Sequence, residues 1–437
     1  MPASATLPVS LLAVAQILRG CFTAPSFEVF TQLLAGMVTS RGPRTVTGML
    51  TGAGLSQTWA HHRVHRFFSR AAWDPRKVAL ALTGAVIEAL LPAGAPVRVA
   101  VDDTLLRRRG KRVWAALWTH DGSARSQDKI GYGNTWVIVA ILVDLPFSCR
   151  PVALPVMARL WRGKDTTSRG ELALRMITEL KQVAGQRIVQ VVADAAYHHP
   201  DVAALSAGIT WTTRLAANAA LSSPPPPPTG KRGRPRKKGD RLGTLTQIAA
   251  RATFKPFTVH RYGQKADVYL SEQIVQWYGP WKDLPVRLIL LKDTAKYYNL
   301  ALITTDLHTP AEQIISAYAA RWSIEVVFAQ MRQILGVGQA RNRTARAVER
   351  TVPFGLSVYT LIILWYAQHG HPTHDVAVHR SLSPWYRTKA EPSFQDMTDT
   401  PRRVILATRF QPTSLGNSCR SWSEVLKQLK SALCMGE

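Results

Sequence analysis

A mixed α/β fold behind an all-helical N-terminal stretch is the architecture that the sequence predicts. Three observations carry it. Residues 1 to about 92 show helical periodicity interrupted by Gly and Pro. From about residue 95 the apolar pattern changes to a period of two, and after residue 309 the helical period returns. At 437 residues the chain can bury a sizeable core in two or three domains, and 46% hydrophobic residues exclude a mere basic tail.

The helical segments read as Leu11 to Val14, Phe27 to Met37, Trp59 to Phe68 and Arg76 to Leu91, with Gly42-Pro43 and Asp74-Pro75 marking turns or caps. His61, His62, Arg63, His65 and Arg66 form a polar and basic cluster there, either a solvated helix face or a DNA contact. Next, Val97, Val99, Val101 and Asp103 alternate with Arg98, Ala100, Asp102 and Thr104, as a strand requires. Strands at Val113 to Trp118 and Thr135 to Asp144 follow, then a helix near Ser168 to Ala184 and a buried strand from Arg187 to Ala193. That order is the order of a ribonuclease-H-like α/β core, although other mixed α/β folds share much of it.

The core spans 93–370 and is interrupted at about 216–305. Ser222, Ser223 and the prolines Pro224 to Pro228 form a stiff spacer, and a basic stretch follows, the two together occupying 222–241. Beyond it, β-rich runs at Phe257 to Tyr262, Asp267 to Leu270, Val286 to Leu291 and Leu300 to Thr304 read as a β-rich insertion within the core. One helix is expected from Thr309 past Leu335 and another from Thr344 to Gln368. The apolar run Val352 to Ala367 is short for a bilayer crossing and contains Pro353, Ser357 and Thr360, so it reads as a buried helix and no membrane is expected. Residues 371–437 are polar and poorly periodic, and no role is read from them.

Lys and Arg number 55 against 28 Asp and Glu, a net charge of +27. A field of that sign attracts phosphate backbones, so nucleic acid is the expected partner. Cys21, Cys149, Cys419 and Cys434 show no paired spacing, so neither a disulfide framework nor a zinc knuckle is suggested, and a reducing cytoplasm fits. No secretory leader is expected, because the first apolar stretch lacks a basic flank and a cleavage site. The Gly-rich segment from Asp128 to Asn134 lacks the P-loop pattern, which argues against an ATPase.

Three acidic positions stand out. Asp102-Asp103 and Asp194 each follow an apolar strand-like run, and Glu325 lies in a late helical segment. On an α-helix Tyr318, Arg321, Glu325 and Arg332 fall within about 60° of arc, while Ile324, Phe328, Met331 and Leu335 form an apolar face beside them. Taken alone, Arg321 and Glu325 are an ordinary surface pair, and Asp194 suits an Asx turn. Two strand acids and one helix acid are, however, what a pair of divalent metals needs to work on a phosphodiester.

Tyr318, Arg321, Glu325 and Arg332, with Arg-Trp-x-Ile-Glu around Glu325, resemble the Tyr-Arg-Glu-Lys signature of DDE transposases of bacterial insertion sequences. Asp194-Ala-Ala-Tyr197 is similar to that group's second acidic motif and Val101-Asp102-Asp103-Thr104 to its first. Arg332 departs from the signature's Lys, exchanging a point charge for a planar fork. The resemblance covers about 95 to 370. It implies a catalytic, metal-holding set of Asp103, Asp194 and Glu325, with Asp102 as the alternative first acid, and two Mg²⁺ ions about 4 Å apart, for which Mn²⁺ can substitute. It further implies Tyr318, Arg321 and Arg332 on DNA phosphates, strand cleavage followed by transfer of the 3′-OH strand, and a homodimer bringing together terminal inverted repeats and target DNA. A bacterial, nucleoid-associated location follows. Trp322, one residue off the polar face, is a candidate for base stacking, with core packing as its other fate. The competing readings are a non-catalytic DNA-binding descendant and a structure-specific nuclease of the same fold.

Lys231, Arg232, Gly233, Arg234, Pro235, Arg236, Lys237 and Lys238 resemble an AT-hook. Gly233 removes bulk, Pro235 keeps the backbone extended, and Arg232 and Arg234 suit a narrow A·T minor groove, with the flanking cations on phosphates. A solvated basic linker is the plainer alternative.

Overall fold

The computed structural model describes residues 7–122, 129–227, 236–261, 263–293 and 298–410. Helices α1 (Val9–Ala15), α2 (Ala24–Thr39), α3 (Val46–Gly52), α4 (His61–Ser69) and α5 (Pro75–Leu90) precede strands β1 (Val97–Arg107), β2 (Leu117–His120), β3 (Ile130–Val143) and β4 (Val152–Trp161). Then come α6 (Arg169–Ala184), β5 (Val189–Ala193), β6 (Ile209–Arg214), β7 (Leu221–Ser222), β8 (Arg241–Gly243), α7 (Leu245–Arg251), β9 (Lys255–Arg261) and β10 (Gln264–Gln276). Helix α8 (Tyr278–Trp281), β11 (Pro285–Lys292), β12 (Leu300–Thr304), α9 (Ala311–Ala320), α10 (Trp322–Gln333), α11 (Ala345–His369), α12 (Pro372–Leu382) and α13 (Phe394–Phe410) complete the order.

The chain divides into two compact units, one from the described parts of residues 83–109 and 115–328, the other from those of 1–82, 110–114 and 329–437. In the first, β1 lies between β3, its antiparallel neighbour, and β5, its parallel one, and β6 continues parallel to β5. Strands β4 and β2 both pair with the far side of β3. The order β4-β3-β1-β5-β6 thus has three antiparallel strands followed by two parallel additions. The inserted strands do not form a separate sheet. Strand β12 pairs with β6, β11 with β12 and β10 with β11, while β9 and β7 pair with β10 and β8 with β7. All four inserted runs read from the sequence are strands of this one sheet.

An apolar cluster of Val259, Val268, Leu270, Ile289, Leu291 and Leu302 seats Ala311, Ile314 and Ile315 of α9. The insertion therefore supplies the floor on which that helix rests. The expected single helix from Thr309 past Leu335 is instead two, α9 and α10, meeting at Arg321. Hydrogen bonds from the Arg321 amide to Tyr318 and from the Ile324 amide to Arg321 tighten this junction to three-residue spacing. Ile324, Phe328, Met331 and Leu335 are all buried, as the apolar stripe requires.

The other unit is helical. Phe22, Phe30, Phe67, Trp73 and Phe354 pack ring to ring, and the buried Arg350 donates to the carbonyls of Phe67, Phe68 and Trp73. Helix α11 is long and apolar enough to cross a membrane, but 89% of its most apolar window is buried inside the protein, in line with the sequence reading. Of the α4 cluster, Arg63 pairs with Glu28 at 2.6 Å and stacks on Trp59, while His61, His62, His65 and Arg66 are exposed.

Several elements differ from the sequence reading, each for a local reason. The expected strand at Val113 to Trp118 begins only at Leu117, because Ala115 adopts a left-handed φ of 51° that breaks an extended run. Strand β4 was hidden by Pro155; its pairing with β3 shifts register at Val139/Ala140, a bulge that accommodates the proline. The Gly-rich segment before Asn134 forms the start of β3 from Ile130 onward. A Cβ on Gly133 would lie 2.2 Å from the Leu106 carbonyl oxygen and 2.9 Å from the Arg107 Cα. Glycine is needed there to let β1 and β3 meet. Gly133→Ala should therefore destabilise the protein by about 1–3 kcal/mol, the usual cost of overpacking, read as a lower urea midpoint at unchanged slope; an unchanged midpoint would contradict the close approach.

Candidate active site

Parallel pairing of two valine-rich strands builds the site. Strands β1 and β5 match residue for residue from Val97↔Val189 to Val101↔Ala193. One further step sets Asp102 level with Asp194, on the same face by strand alternation. The acids of the first pair do not end their strand, since β1 runs on to Arg107. Asp194 does follow the end of β5, and Thr213 Oγ1 of β6 donates to its carbonyl at 2.9 Å.

Asp102 and Asp103 point to opposite faces of the sheet. Asp102 Oδ2 accepts from Arg321 Nη1 at 2.8 Å, and Asp102 Oδ1 accepts from the Asp103 amide at 2.8 Å. The other amine of the same guanidinium, Nη2, donates to Glu325 Oε1 at 3.2 Å, in the first turn of α10. A single arginine thus joins an acid of the sheet to the acid of the helix. Burial pushes the Asp102 carboxyl up to about 7; Arg321 and the Asp103 amide oppose that rise, and the Asp103 and Glu325 charges add to it. Burial also raises Glu325, against the pull of Arg321 and with the help of Asp194. Burial disfavours the Arg321 charge, but Asp102, Tyr318, Asp194 and Glu325 together outweigh it and hold its pKa up. Asp102, Asp194 and Glu325 therefore share one electrostatic environment around Arg321.

Asp103, the first acid favoured by motif comparison, faces α6. Its Oδ1 accepts from the Tyr197 hydroxyl at 2.8 Å, and its Oδ2 pairs with Arg169 Nη1 at 3.0 Å. Tyr197 is 1% exposed, and Arg169 lies 4.6 Å over the Trp161 ring. Burial, then the charges of Asp103 and Asp102, push the Tyr197 phenol well above its ordinary range, so it stays a donor. Both oxygens of Asp103 are engaged by protein. Tyr197 could have been found from the sequence, since it belongs to the Asp194 motif. Arg169 and Trp161 carried no such signal, because only the fold brings them to Asp103.

The remaining sequence candidates divide. Tyr318 packs against the apolar floor of the insertion, with the Arg321 Cζ 5.8 Å from its ring centroid. Trp322 is 52% exposed, so it is not a core residue. Arg332 is half-buried in the last turn of α10. Lys231, Arg232 and Arg234 lie outside the described residues. Arg236 pairs with Asp240 at 2.9 Å, the Lys237 carbonyl accepts from Gln276 Nε2 at 3.3 Å, and the Lys238 ammonium lies 5.4 Å from the Tyr278 ring.

Asp102, Asp194 and Glu325 offer only carboxylate oxygens, the donor type that hard divalent cations take. As the side chains lie, no three His, Cys, Asp or Glu among the described residues stand close enough to enclose an ion. The Arg321 guanidinium, bonded to two of the acids, is the positive charge between them. The donor set fits magnesium in kind, and the charges of all three acids act on Arg321, as in a site suited to positive charge.

Two known families match the chain. The family described as DDE superfamily endonuclease matches residues 18–282, which include Asp102, Asp103 and Asp194. The family described as archaeal putative transposase ISC1217 matches residues 256–349, which include Glu325. No curated protein matches the chain. The first match spans more than half of the sequence and, with the second, describes a transposase-type nuclease: this chain belongs to the DDE superfamily endonuclease family.

Proposed function

We propose that the protein is a DNA transposase of the insertion-sequence type, cutting at transposon ends and joining the freed 3′-OH to target DNA on a ribonuclease-H-like core. The observation that carries this reading is the bridge from Asp102 of β1 through the buried Arg321 to Glu325 of α10, with the charge of Asp194, just after β5, acting on both Arg321 and Glu325. The sheet order β4-β3-β1-β5-β6 supports the core type. We assign the first acid to Asp102, level with Asp194 and joined through Arg321 to Glu325, and give Asp103 the role of a brace held by Tyr197 and Arg169.

In this reading Asp102, Asp194 and Glu325 would hold two Mg²⁺ ions. When bound, such ions activate a water or a 3′-OH and stabilise the leaving oxygen of an in-line displacement. The protein groups do the rest. Arg321 and Tyr318, beside the acids, orient the phosphate of the scissile strand, and Arg332 is a further cation for DNA phosphates. Trp322, exposed next to Arg321, offers a ring on which a displaced base can stack. The basic segment 231–238 tethers the enzyme to A·T-rich minor groove, and the +27 charge draws it to DNA before any sequence is read. Two ends require two active sites, hence a homodimer on DNA.

Incubation of purified protein with duplexes from the gene's flanking terminal sequences and Mg²⁺ should yield nicked and joined products. Asp102→Asn, Asp194→Asn and Glu325→Gln should each lose detectable cleavage while binding DNA normally. Asp103→Asn should lose only about 10- to 100-fold, as expected for removing an orienting partner. Complete loss in Asp103→Asn with activity retained in Asp102→Asn would reverse the assignment.

A second expectation concerns pH. The folded pKa of Asp102, about 7, lies above the ordinary carboxylate value. The unfolded chain therefore releases this proton first, and Asp102 lowers stability progressively as pH rises from about 4 to 7. Whatever the loss of the Arg321 pair costs, the Tm change caused by Asp102→Asn should be more favourable at pH 7.5 than at pH 4.5; equal changes at both would show that burial does not oppose ionisation there.

A further inference from the structure

Arg321 is committed at both ends of its fork. It is 12% exposed, gives Nη1 to Asp102 and Nη2 to Glu325, and keeps Nε buried without a hydrogen-bond partner. Its Cζ stands 5.8 Å from the Tyr318 ring, on the junction between α9 and α10. Burying a guanidinium is unfavourable unless opposite charges surround it, and here two carboxylates from different elements do so. Those same carboxylates, of Asp102 and Glu325, are the ones that would hold a divalent cation. The planar edge of the fork that they occupy is also the edge that suits a phosphate.

Carboxylates, cation and phosphate therefore compete for one side chain. We propose that Arg321 is a built-in counter-ion that keeps the acid cluster closed to divalent cations until a DNA phosphate draws the guanidinium away. Metal loading is then coupled to DNA engagement: each phosphate contact made by Arg321 frees two carboxylates, and each cation held by the carboxylates frees Arg321 for phosphate. By linkage the coupling is reciprocal. A basic enzyme bound loosely along any duplex thus keeps its acids neutralised wherever its phosphate grip is incomplete. This inference rests on the reading of Asp102, Asp194 and Glu325 as the metal-holding set, and the experiment separates the two.

The full-length protein, without DNA, is titrated with Mn²⁺ and the free ion is followed by electron paramagnetic resonance. Arg321→Ala and Arg321→Gln should bind Mn²⁺ more tightly than the wild type, by roughly 5- to 150-fold, the usual range of such coupling. Arg321→Lys, which keeps the charge but not the fork, should fall between. A short duplex carrying the gene's flanking terminal sequence, corrected for its own Mn²⁺ binding, should tighten Mn²⁺ binding by the wild type and leave Arg321→Gln unchanged. Thermal melting checks folding; if the alanine variant fails to fold, the glutamine and lysine variants carry the test. Should these bind Mn²⁺ no better than wild type, while Asp102→Asn or Glu325→Gln weakens binding, the counter-ion role is overturned and the metal site stands. Should Mn²⁺ binding ignore Asp102→Asn, Asp194→Asn and Glu325→Gln alike, the metal reading fails and takes the counter-ion role with it.

Discussion

Parallel pairing of β1 with β5 is the constraint on which the site depends. The chain could place Asp102 and Asp194 together in no simpler way, because they lie far apart in sequence on separate apolar strands. Residue-for-residue register converts that distance into adjacency. Such pairing is fixed by side-chain burial: Val97, Val99, Val101, Val189, Val191 and Val192 are all buried, and a slip of one residue would turn the acids to the wrong face. The strands do not form the site alone. Helix α10 supplies Glu325, and its approach is set by α9, whose apolar side rests on the inserted strands.

The two faces of the sheet carry different duties at neighbouring residues. On one, Asp102 meets Arg321, which in turn meets Glu325. On the other, Asp103 is gripped by Tyr197 and Arg169, and Tyr197 comes from the turn directly after Asp194. The second contact links the end of β5 to β1 from behind. An acidic pair in sequence thus faces two different sets of partners, Arg321 for Asp102 and Tyr197 with Arg169 for Asp103.

Much of this was legible in the sequence because it rests on periodicity. The alternation from Val97 to Thr104 and the amphipathic helix near Ser168 to Ala184 declare themselves through their periods, and the inserted strands, of which β11 and β12 are buried on both faces, through their β-rich runs. The polar and apolar stripes on the segment around Glu325 did so as well. What escaped depends on long-range geometry. Pro155 masked β4, the left-handed Ala115 shortened β2, and the junction at Arg321 split a helix whose apolar stripe is unbroken. The choice between Asp102 and Asp103 escaped for the same reason. Alternation states that they face opposite ways, but only the sheet partners decide which way leads to Glu325.

Because the inserted strands prolong the core sheet, β6 acquires its outer neighbour only from β12, which is made much later. A nascent chain halted anywhere before Leu300 leaves β6 as a bare edge, its backbone amides and carbonyls open to any passing strand. The sheet closes late in synthesis, and its vulnerability to mispairing lasts until Leu300–Thr304 has emerged.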